Sequence, residues 1–518
     1  MEVIKQMKYH NPILNMDFPD PDVIRVGDTY YMVSTTMHFF PGCVILRSYD
    51  LVHWETASYV YDTLDNTDGQ RLLCGKHCYG QGMWAASLRY HNGLYYVVFV
   101  ANDTHQSYLY TAEDVQGRWK RHEIKGFYHD CSLFFDDDES VYLVYGNTEI
   151  HLTQMKPDLS GPLAGGIDRV IIREEGNPQL GYEGSHMYKR NGKYYVFLIH
   201  SRKDRWMRTE ACFYADDLRG EFSGKDVLED TMGYCGQGVA QGGIVETPEG
   251  DWYAVLFQDS GAVGRIPVLV PVHWEDDFPV FGIDKKVPHE LAVTSTRADY
   301  VYAPLYGPDD FSGEPLADGS VRLKDFWQFN HTPDTSLWEI REKQFRIRTG
   351  KCCHNPTQAQ NTLTQRLVYP KSTVCVTVDF SGLQEGDYAG LCALQGCYAF
   401  AAVKIEKEMP YLVMGAREAQ SADMTPMAVN DEPGTEYARI PLTGSRITLR
   451  MEADFTKMRD VAQFSYATQD GWKQVGPLHQ LYFKLDHFCG CRAGLFAFST
   501  KQAGGVAGFS DFRFETED

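Results

Sequence analysis

Short runs of alternating apolar and polar residues recur five times in the first half of the chain. The clearest copy, residues 183–198, is a short apolar strand, a polar turn that ends at Gly192, and an aromatic-rich strand from Tyr194 to Leu198. This pattern is typical of a β-hairpin. In every copy, ten or eleven steps separate the first residue from the start of the second strand. The other copies begin at Asp20, Trp84, Asp130 and Gln241.

The spacing of the copies predicts how they are arranged in space. Successive copies begin 46 to 64 residues apart, and small antiparallel units at such intervals are typical of a β-propeller, here with five blades. The first residues of all copies would then meet at one mouth of the central axis. Three of them, Asp20, Asp130 and Glu183, are acids, and gathered like charges are costly to keep ionised. This mouth is therefore the candidate site of chemistry.

The repeat pattern ends before residue 300. Residues 297–310 carry proline and glycine without sustained alternation, which indicates a linker. We therefore predict an all-β chain with a five-bladed β-propeller over residues 1–300 and a β-sandwich over residues 301–518. The strand candidates of the second domain are Thr373–Val378, Arg446–Met451, Ala493–Phe498 and Gly508–Phe514.

The composition of the chain limits the classes of molecule that it can bind and the compartment in which we expect it. The 518 residues carry 49 basic and 70 acidic side chains, a formal charge of −21, which argues against nucleic acid and anionic membranes but leaves neutral sugars open. No apolar run reaches transmembrane length, and the N-terminus lacks the apolar core of a signal peptide. The thirteen cysteines, an odd number without Cys-x-x-Cys pairs, are typical of reduced thiols, so we expect a cytoplasmic protein.

The three acids suit hydrolysis of a glycosidic bond. One carboxylic acid protonates the leaving oxygen, and a second carboxylate activates water or attacks the sugar. Burial and mutual repulsion would separate their pKa values, the longer Glu183 suiting the acid and an Asp suiting the water. Each has a structural alternative: an Asx turn for Asp20, a loop cap for Asp130 and a rim charge for Glu183. Their shared position in the repeat favours chemistry.

The chain resembles the family 43 glycoside hydrolases, which include β-xylosidases and α-L-arabinofuranosidases on a five-bladed propeller. The resemblance spans residues 11 to about 280 and extends to the concanavalin-like (jelly-roll) sandwich that many members carry. It rests on these motifs: Asn11-Pro-Ile-Leu, Phe18-Pro-Asp-Pro, Trp84-Ala85, Asp130-x-Ser-Leu-Phe134 and Glu183-Gly-x-His-Met-Tyr188.

This resemblance implies an inverting mechanism and a role for each acid. It makes Asp20 the general base, Glu183 the general acid and Asp130 the residue that tunes the pKa of the acid and orients it. It also implies that Arg265 hydrogen-bonds the sugar near the base. Trp84, at the first position of the second copy, is either core or a face on which a sugar stacks.

Two positions depart from the family pattern. Gln241 stands where many members have a histidine tied to calcium or water. Because an amide oxygen binds calcium weakly, we predict no metal ligand and no required cofactor, and calcium stays an open but disfavoured alternative. Met37-His38 replaces an aromatic–acidic pair before Phe39, which changes the expected wall of the sugar pocket. The expected substrate-binding residues are Trp84, Arg265, Phe39, His38 and Gln241; His38 could equally be a packed loop residue.

The predicted function is that of an inverting exo-glycosidase that hydrolyses terminal non-reducing α-L-arabinofuranosyl or β-D-xylosyl residues of hemicellulose-derived oligosaccharides in xylan degradation. The expected partner is a small oligosaccharide, with no nucleic acid or membrane; a homo-oligomer stays open. The alternatives are a non-catalytic carbohydrate-binding propeller and a retaining fructosidase-like hydrolase, whose Asn-Asp-Pro-Asn and Glu-Cys motifs are missing from the sequence. The sandwich segment Phe488–Cys491 could reach over the pocket.

Overall fold

The computed structural model describes residues 6–174, 176–313, 321–419 and 426–517. Within these ranges the chain is built of β-strands and three short 3-10 helices, Gly261–Val263, Pro356–Gln358 and Thr456–Met458, without an α-helix. The all-β prediction is confirmed. In this part of the chain no helix has the length and apolar character needed to cross a membrane.

The first domain is a ring of five four-stranded antiparallel sheets, which follows β1 (Gln6–His10). Blade 1 contains β2 (Asp22–Val26), β3 (Thr29–Ser34), β5 (Gly42–Ser48) and β6 (Glu55–Tyr61), while the short β4 (Phe39–Phe40) lies outside its sheet. Blade 2 contains β7 (Met83–His91), β8 (Leu94–Ala101), β9 (Gln106–Ala112) and β10 (Lys120–His122). Blade 3 contains β11 (Ser132–Phe135), β12 (Val141–Asn147), β13 (Glu149–Met155) and β14 (Asp168–Arg173).

Two further blades complete the ring. Blade 4 contains β15 (Glu183–Arg190), β16 (Lys193–Ser201), β17 (Arg208–Ala215) and β18 (Ser223–Leu228). Blade 5 contains β19 (Val239–Glu246), β20 (Trp252–Asp259), β21 (Arg265–Glu275) and β22 (Phe278–Phe281). The next strand, β23 (Glu290–Thr294), pairs with β1. The five repeats of the sequence are thus the first two strands of each blade, and the five-bladed propeller is confirmed.

Polar side chains on three of the inner strands connect neighbouring blades. The inner strands β2, β7, β11, β15 and β19 contact one another in a closed circle. Asp22 accepts a hydrogen bond from the backbone N–H of Leu88 at 2.8 Å. Ser87 accepts one from Leu133 at 3.0 Å, and Ser132 accepts one from Met187 at 2.9 Å. These bonds satisfy backbone donors that would otherwise be unpaired at the centre of the ring.

The second domain is a sandwich of two antiparallel sheets, as the sequence analysis predicts. Its strands are β24 (Gln328–Asn330), β25 (Trp338–Arg341), β26 (Gln344–Arg348), β27 (Leu363–Arg366), β28 (Lys371–Gly382), β29 (Asp387–Leu394), β30 (Ala399–Glu406), β31 (Met409–Ala416), β32 (Thr435–Pro441), β33 (Arg446–Asp454), β34 (Val461–Thr468), β35 (Gly471–Gln474), β36 (His479–Gln480), β37 (Arg492–Ser499) and β38 (Val506–Glu517). All four strand candidates fall within these strands. The first sheet has the order β32-β31-β30-β29-β37-β27-β24-β4 and the second β25-β26-β38-β28-β33-β34-β35, with β36 paired to β34.

The two domains share one interface. Strand β4 of the propeller chain pairs with β24, which places Phe39 and Phe40 on the edge of a sandwich sheet. Asp17 bridges the domains, because its carboxylate accepts hydrogen bonds from the backbone N–H groups of Arg265 at 2.8 Å and Gly490 at 2.9 Å. The sandwich loop that carries Gly490 is therefore fixed against the strand that begins at Arg265.

Candidate active site

The first residues of the repeats lie in irregular backbone at the start of the inner strands. Asp20, Asp130 and Gln241 have positive φ angles of 54°, 47° and 57°. Positive φ is uncommon for residues other than glycine and concentrates at functional sites. In blades 2, 4 and 5 the pairing register shifts at the first residue of the repeat, and such bulges re-aim a side chain. The backbone thus turns these side chains away from the regular strand direction.

Asp20 is held by two donors. Its Oδ1 accepts a hydrogen bond from Nη1 of Arg265 at 2.7 Å, and its Oδ2 accepts one from the hydroxyl of Thr35 at 2.7 Å. Both Asp20 and Arg265 are buried, at 6% and 2% exposure. These two hydrogen bonds hold the Asp20 carboxylate in one orientation.

Arg265 is itself fixed by the sandwich domain. Its Nη2 donates to the backbone carbonyl of Phe488 at 3.3 Å, and its guanidinium lies 4.4 Å from the centre of the Phe488 ring and 5.4 Å from that of Phe257. Arginine stacks on aromatic faces while it keeps its planar donors free for a carboxylate. The sandwich therefore takes part in holding Asp20.

Asp130 and Glu183 form a second acidic group on the other side of the ring opening. The imidazole Nε2 of His129 lies 3.8 Å from Oδ2 of Asp130 and 3.8 Å from Oε2 of Glu183. The side-chain amide of Asn147 donates a hydrogen bond to Oε2 of Glu183. Asp130 is buried, and among the described residues its Oδ1 has no hydrogen-bond partner. The Glu183 side chain is 17% exposed, so it is the more accessible of the two acids.

The electrostatics of this group differ from those of Asp20. Burial raises the pKa of Asp130 to about 7; the nearby His129 opposes the rise, and the charges of Glu183 and Asp20 add to it. The charge of Asp130 in turn raises the pKa of His129 to about 9, with a further contribution from the nearby Glu183. The buried Asp130 carboxyl and the Glu183 carboxyl thus lie beside a cationic imidazole.

Trp84 and Gln241 lie beside these acids. The Trp84 ring is half-buried, 5.7 Å from the His129 ring and 5.4 Å from the Phe488 ring. The side chain of Gln241 packs against Gly184, where an added Cβ would lie 2.7 Å from the Gln241 Cδ. Glycine at position 184, with a φ of 64°, thus lets the chain after Glu183 approach blade 5.

The sequence analysis expected His38 and Phe39 on the accessible wall of the sugar pocket, but the structure does not place them there. Both side chains are buried, with exposures of 0% and 1%. The His38 ring packs against Phe39 at 4.4 Å and Tyr79 at 4.6 Å, and the guanidinium of Arg492 lies over Phe39. The packed-loop alternative for His38 is the one observed, because the sandwich covers this segment.

Three further residues join the site although sequence reasoning did not select them. His129 directly precedes Asp130, and Asn147 ends the second strand of the same blade. Arg208 is buried, donates to Asp259 at 2.6 Å, and has a pKa that burial lowers but that Asp259, Glu183 and Asp20 together raise. Adjacency to Asp130 was a usable signal for His129. The sequence contained no such signal for Arg208, because only the pairing of strands in the folded chain brings this residue near the acids.

In the described part of the chain, one group of side chains has the spacing to hold a metal ion. It consists of His129, Asp130 and Glu183, whose potential ligand atoms all lie within 4.8 Å of one another. Glu183 is a candidate for one of the two carboxyl groups that glycoside hydrolysis requires, and the imidazole lies at ion-pair distance from both Glu183 and Asp130. We therefore interpret the group as a charge cluster. Gln241 offers one amide oxygen toward calcium, which by itself is a weak ligand.

A separate polar cavity of about 390 Å³ lies in the long loop before blade 2. The candidate catalytic residues do not line it, so it does not mark the reaction centre. The loop is tied to the sandwich, because the backbone N–H of Thr332 donates to the carbonyl of Gln70 at 2.7 Å. The lining residues are Thr67, Asp68, Gly69, Gly75, Lys76, His77, Gln81 and Asp103.

A carboxylate paired with arginine and a second group of two carboxyl side chains beside an imidazole provide the carboxyl groups that a glycoside hydrolase needs. Residues 9–279 match glycosyl hydrolases family 43, and residues 318–515 match the β-xylosidase C-terminal concanavalin A-like domain. The chain belongs to glycosyl hydrolase family 43 and is a glycoside hydrolase that acts on oligosaccharides.

Several proteins are similar over most of the chain. A β-xylosidase of Formosa agariphila is 25% identical over 98% of this chain and 90% of its own length. A non-reducing end α-L-arabinofuranosidase of Bacteroides ovatus is 25% identical over 86% of this chain and 83% of its own. A solved bifunctional GH43-CE protein of Bacteroides eggerthii is 39% identical with a TM-score of 0.89; the match covers 99% of this chain and 64% of that longer one.

Proposed function

We propose that the protein is an inverting exo-glycosidase that removes terminal non-reducing α-L-arabinofuranosyl or β-D-xylosyl residues from xylan-derived oligosaccharides. The names of the relatives, a β-xylosidase and an α-L-arabinofuranosidase, support these two sugars. The observation that carries the proposal is the contrast between Asp20, which is paired with Arg265, and Asp130, which lies with Glu183 beside His129 and has a pKa that burial raises to about 7.

Each group has a role in this scheme. Asp20, as a carboxylate, accepts a proton from the attacking water, while Glu183, the more accessible acid, gives its proton to the leaving oxygen. Asp130 keeps the shared proton available to Glu183. Arg265 fixes Asp20, and Trp84 offers an aromatic face for the sugar. The water attacks from the side opposite the leaving group, so the anomeric configuration inverts.

The reaction needs no cofactor, because the carboxyl groups supply both proton transfers. We expect calcium to be dispensable, since Gln241 is a weak ligand. All thirteen cysteines are free thiols, which supports the proposal of a reducing, cytoplasmic location. Assembly into a homo-oligomer stays a prediction.

A panel of para-nitrophenyl glycosides tests the proposed function. The arabinofuranoside or the xylopyranoside should be hydrolysed, the galactoside and glucoside should be poor substrates, and a chelator should leave the rates unchanged. Xylo-oligosaccharides should be shortened one residue at a time. Preference for a hexoside, or release of internal fragments, would contradict the proposal.

A further inference from the structure

We propose that His129 is a positioning residue, a cationic bridge that holds Asp130 and Glu183 together so that the two acids share one proton. The inference rests on the proposed function of Glu183 as the acid. It adds a group that the hydrolytic scheme does not contain, since two carboxylates suffice for the reaction in principle.

The first support is the position of the imidazole. Its Nε2 lies at the same distance, 3.8 Å, from a carboxylate oxygen of Asp130 and one of Glu183. These distances are longer than a hydrogen bond of good geometry but well within ion-pair range. His129 therefore acts mainly through its charge, and it acts on both acids at once.

The second support is the way in which the backbone fixes this arrangement. The carbonyl of His129 accepts a hydrogen bond from the N–H of Gly146 at 2.9 Å, and the carbonyl of Asp130 accepts one from Ser185 at 3.2 Å. The first bond lies within blade 3, and the second connects blade 3 to blade 4. The ring itself lies beside Trp84. His129 is therefore held where blades 2, 3 and 4 meet.

The third support is the charge balance. The titratable groups that face His129 are Asp130 of its own segment, Glu183 of blade 4 and Asp20 before blade 1, and all three raise its pKa. Arg265 is the other cation that acts on Asp130, and its contacts are with Asp20 and Phe488. Arg208 also acts on Glu183, but its hydrogen bond goes to Asp259. Without His129, the two acids would lose a cation that lies at ion-pair distance from both, and the pKa of Asp130 would rise.

The pH profile distinguishes a charge role from a structural one. Removal of the cation in His129→Gln should move the alkaline limb of the kcat profile to higher pH by roughly one to two units, because the shared proton is held more tightly. The rate at the optimum should fall, since a weaker acid protonates the leaving group less readily. His129→Lys, which keeps a positive charge, should return the limb toward its original position.

The experiment compares His129→Gln, His129→Lys and the matched control His151→Gln, a blade 3 histidine that stacks on Tyr145. Their pH profiles are measured on the para-nitrophenyl glycoside that is hydrolysed best. In parallel, the imidazole of His129 is titrated by NMR in the full-length protein, with assignment by its loss in His129→Gln. We expect it to titrate near pH 9 and its pKa to fall in Glu183→Gln.

The inference would be overturned if the His129 imidazole titrated near its ordinary pKa and if that pKa were unchanged in Glu183→Gln. This outcome would count even for a protein that hydrolyses none of the glycosides tested. A His129→Gln profile that is lower but unshifted would overturn the inference too. Activity that is lost on chelation and restored by a divalent cation would also overturn the inference. A bound metal ion, and not the imidazolium of His129, would then be the positive charge beside Asp130 and Glu183. Absence of hydrolysis by the wild type, with the NMR behaviour intact, would refute only the proposed function.

Discussion

The two sides of the candidate active site hold their carboxylates in different ways. On the side of the proposed base, both oxygens of Asp20 accept hydrogen bonds at 2.7 Å, from Arg265 and Thr35. On the side of the proposed acid, Asp130 has an oxygen without a partner in the described structure, and the imidazole of His129 lies 3.8 Å from its other oxygen.

In the proposed mechanism, this difference separates a base from an acid. Direct hydrogen bonds hold the Asp20 carboxylate in one orientation, which suits a group that must face the attacking water. On the side of the proposed acid, burial raises the pKa of Asp130, and the charge of His129 opposes that rise. One fold thus gives its carboxyl groups different environments, and such differences are what separate acid and base roles.

The largest expected effect is that of Asp20→Asn. It should lower kcat by on the order of 10⁴-fold on every substrate, because no leaving group compensates for an unactivated water. The measurement is kcat on an aryl glycoside and on a natural disaccharide. Asp137→Asn, in an exposed turn, is the matched control and should behave as the wild type. Similar losses in both variants would remove Asp20 from the role of base.

The next effect is that of Glu183→Ala, which should depend on the leaving group. We expect roughly a 10³-fold loss on a disaccharide, whose leaving alcohol needs a proton, and a much smaller loss on a para-nitrophenyl glycoside, whose leaving phenolate does not. The two rates are compared in the same preparation. Equal losses on both substrates would assign the acid to another residue.

The smallest effect concerns the contribution of the sandwich to the base side. Phe488→Ala removes the ring that lies against Arg265 and Trp84 but keeps the backbone carbonyl that Arg265 bonds. We expect a KM about 2- to 10-fold higher with a smaller change in kcat, in line with the loss of one aromatic contact. Phe483→Ala, whose ring lies 5.8 Å from that of Phe488, is the control. Unchanged kinetics in Phe488→Ala would separate the sandwich from the site.

The fold could be predicted from the sequence because its signals are local. Each hairpin carries its own alternation and turn, and five copies at regular spacing have few arrangements besides a ring. The pairing of Phe39–Phe40 with the sandwich could not be predicted. Two apolar residues carry no information about a partner almost three hundred positions away.

The candidate site could be predicted only in part, since the repeat pattern shows which residues occupy equivalent positions but not which residues the folded domains bring together. The acids share a repeat position, so Asp20, Asp130 and Glu183 could be selected together. His38 and Phe39 also lie close to the site in sequence, but contact with the second domain buries them. His129 and Arg208 act through distances between blades, which no repeat pattern contains.

The most direct test of the account is the configuration of the sugar at the moment of release, followed by proton NMR during hydrolysis of para-nitrophenyl β-D-xylopyranoside or α-L-arabinofuranoside. A water activated by Asp20 opposite Glu183 predicts that the inverted anomer appears first and then mutarotates. First appearance of the retained anomer would contradict the account, because it would require a carboxylate to attack the sugar in place of water.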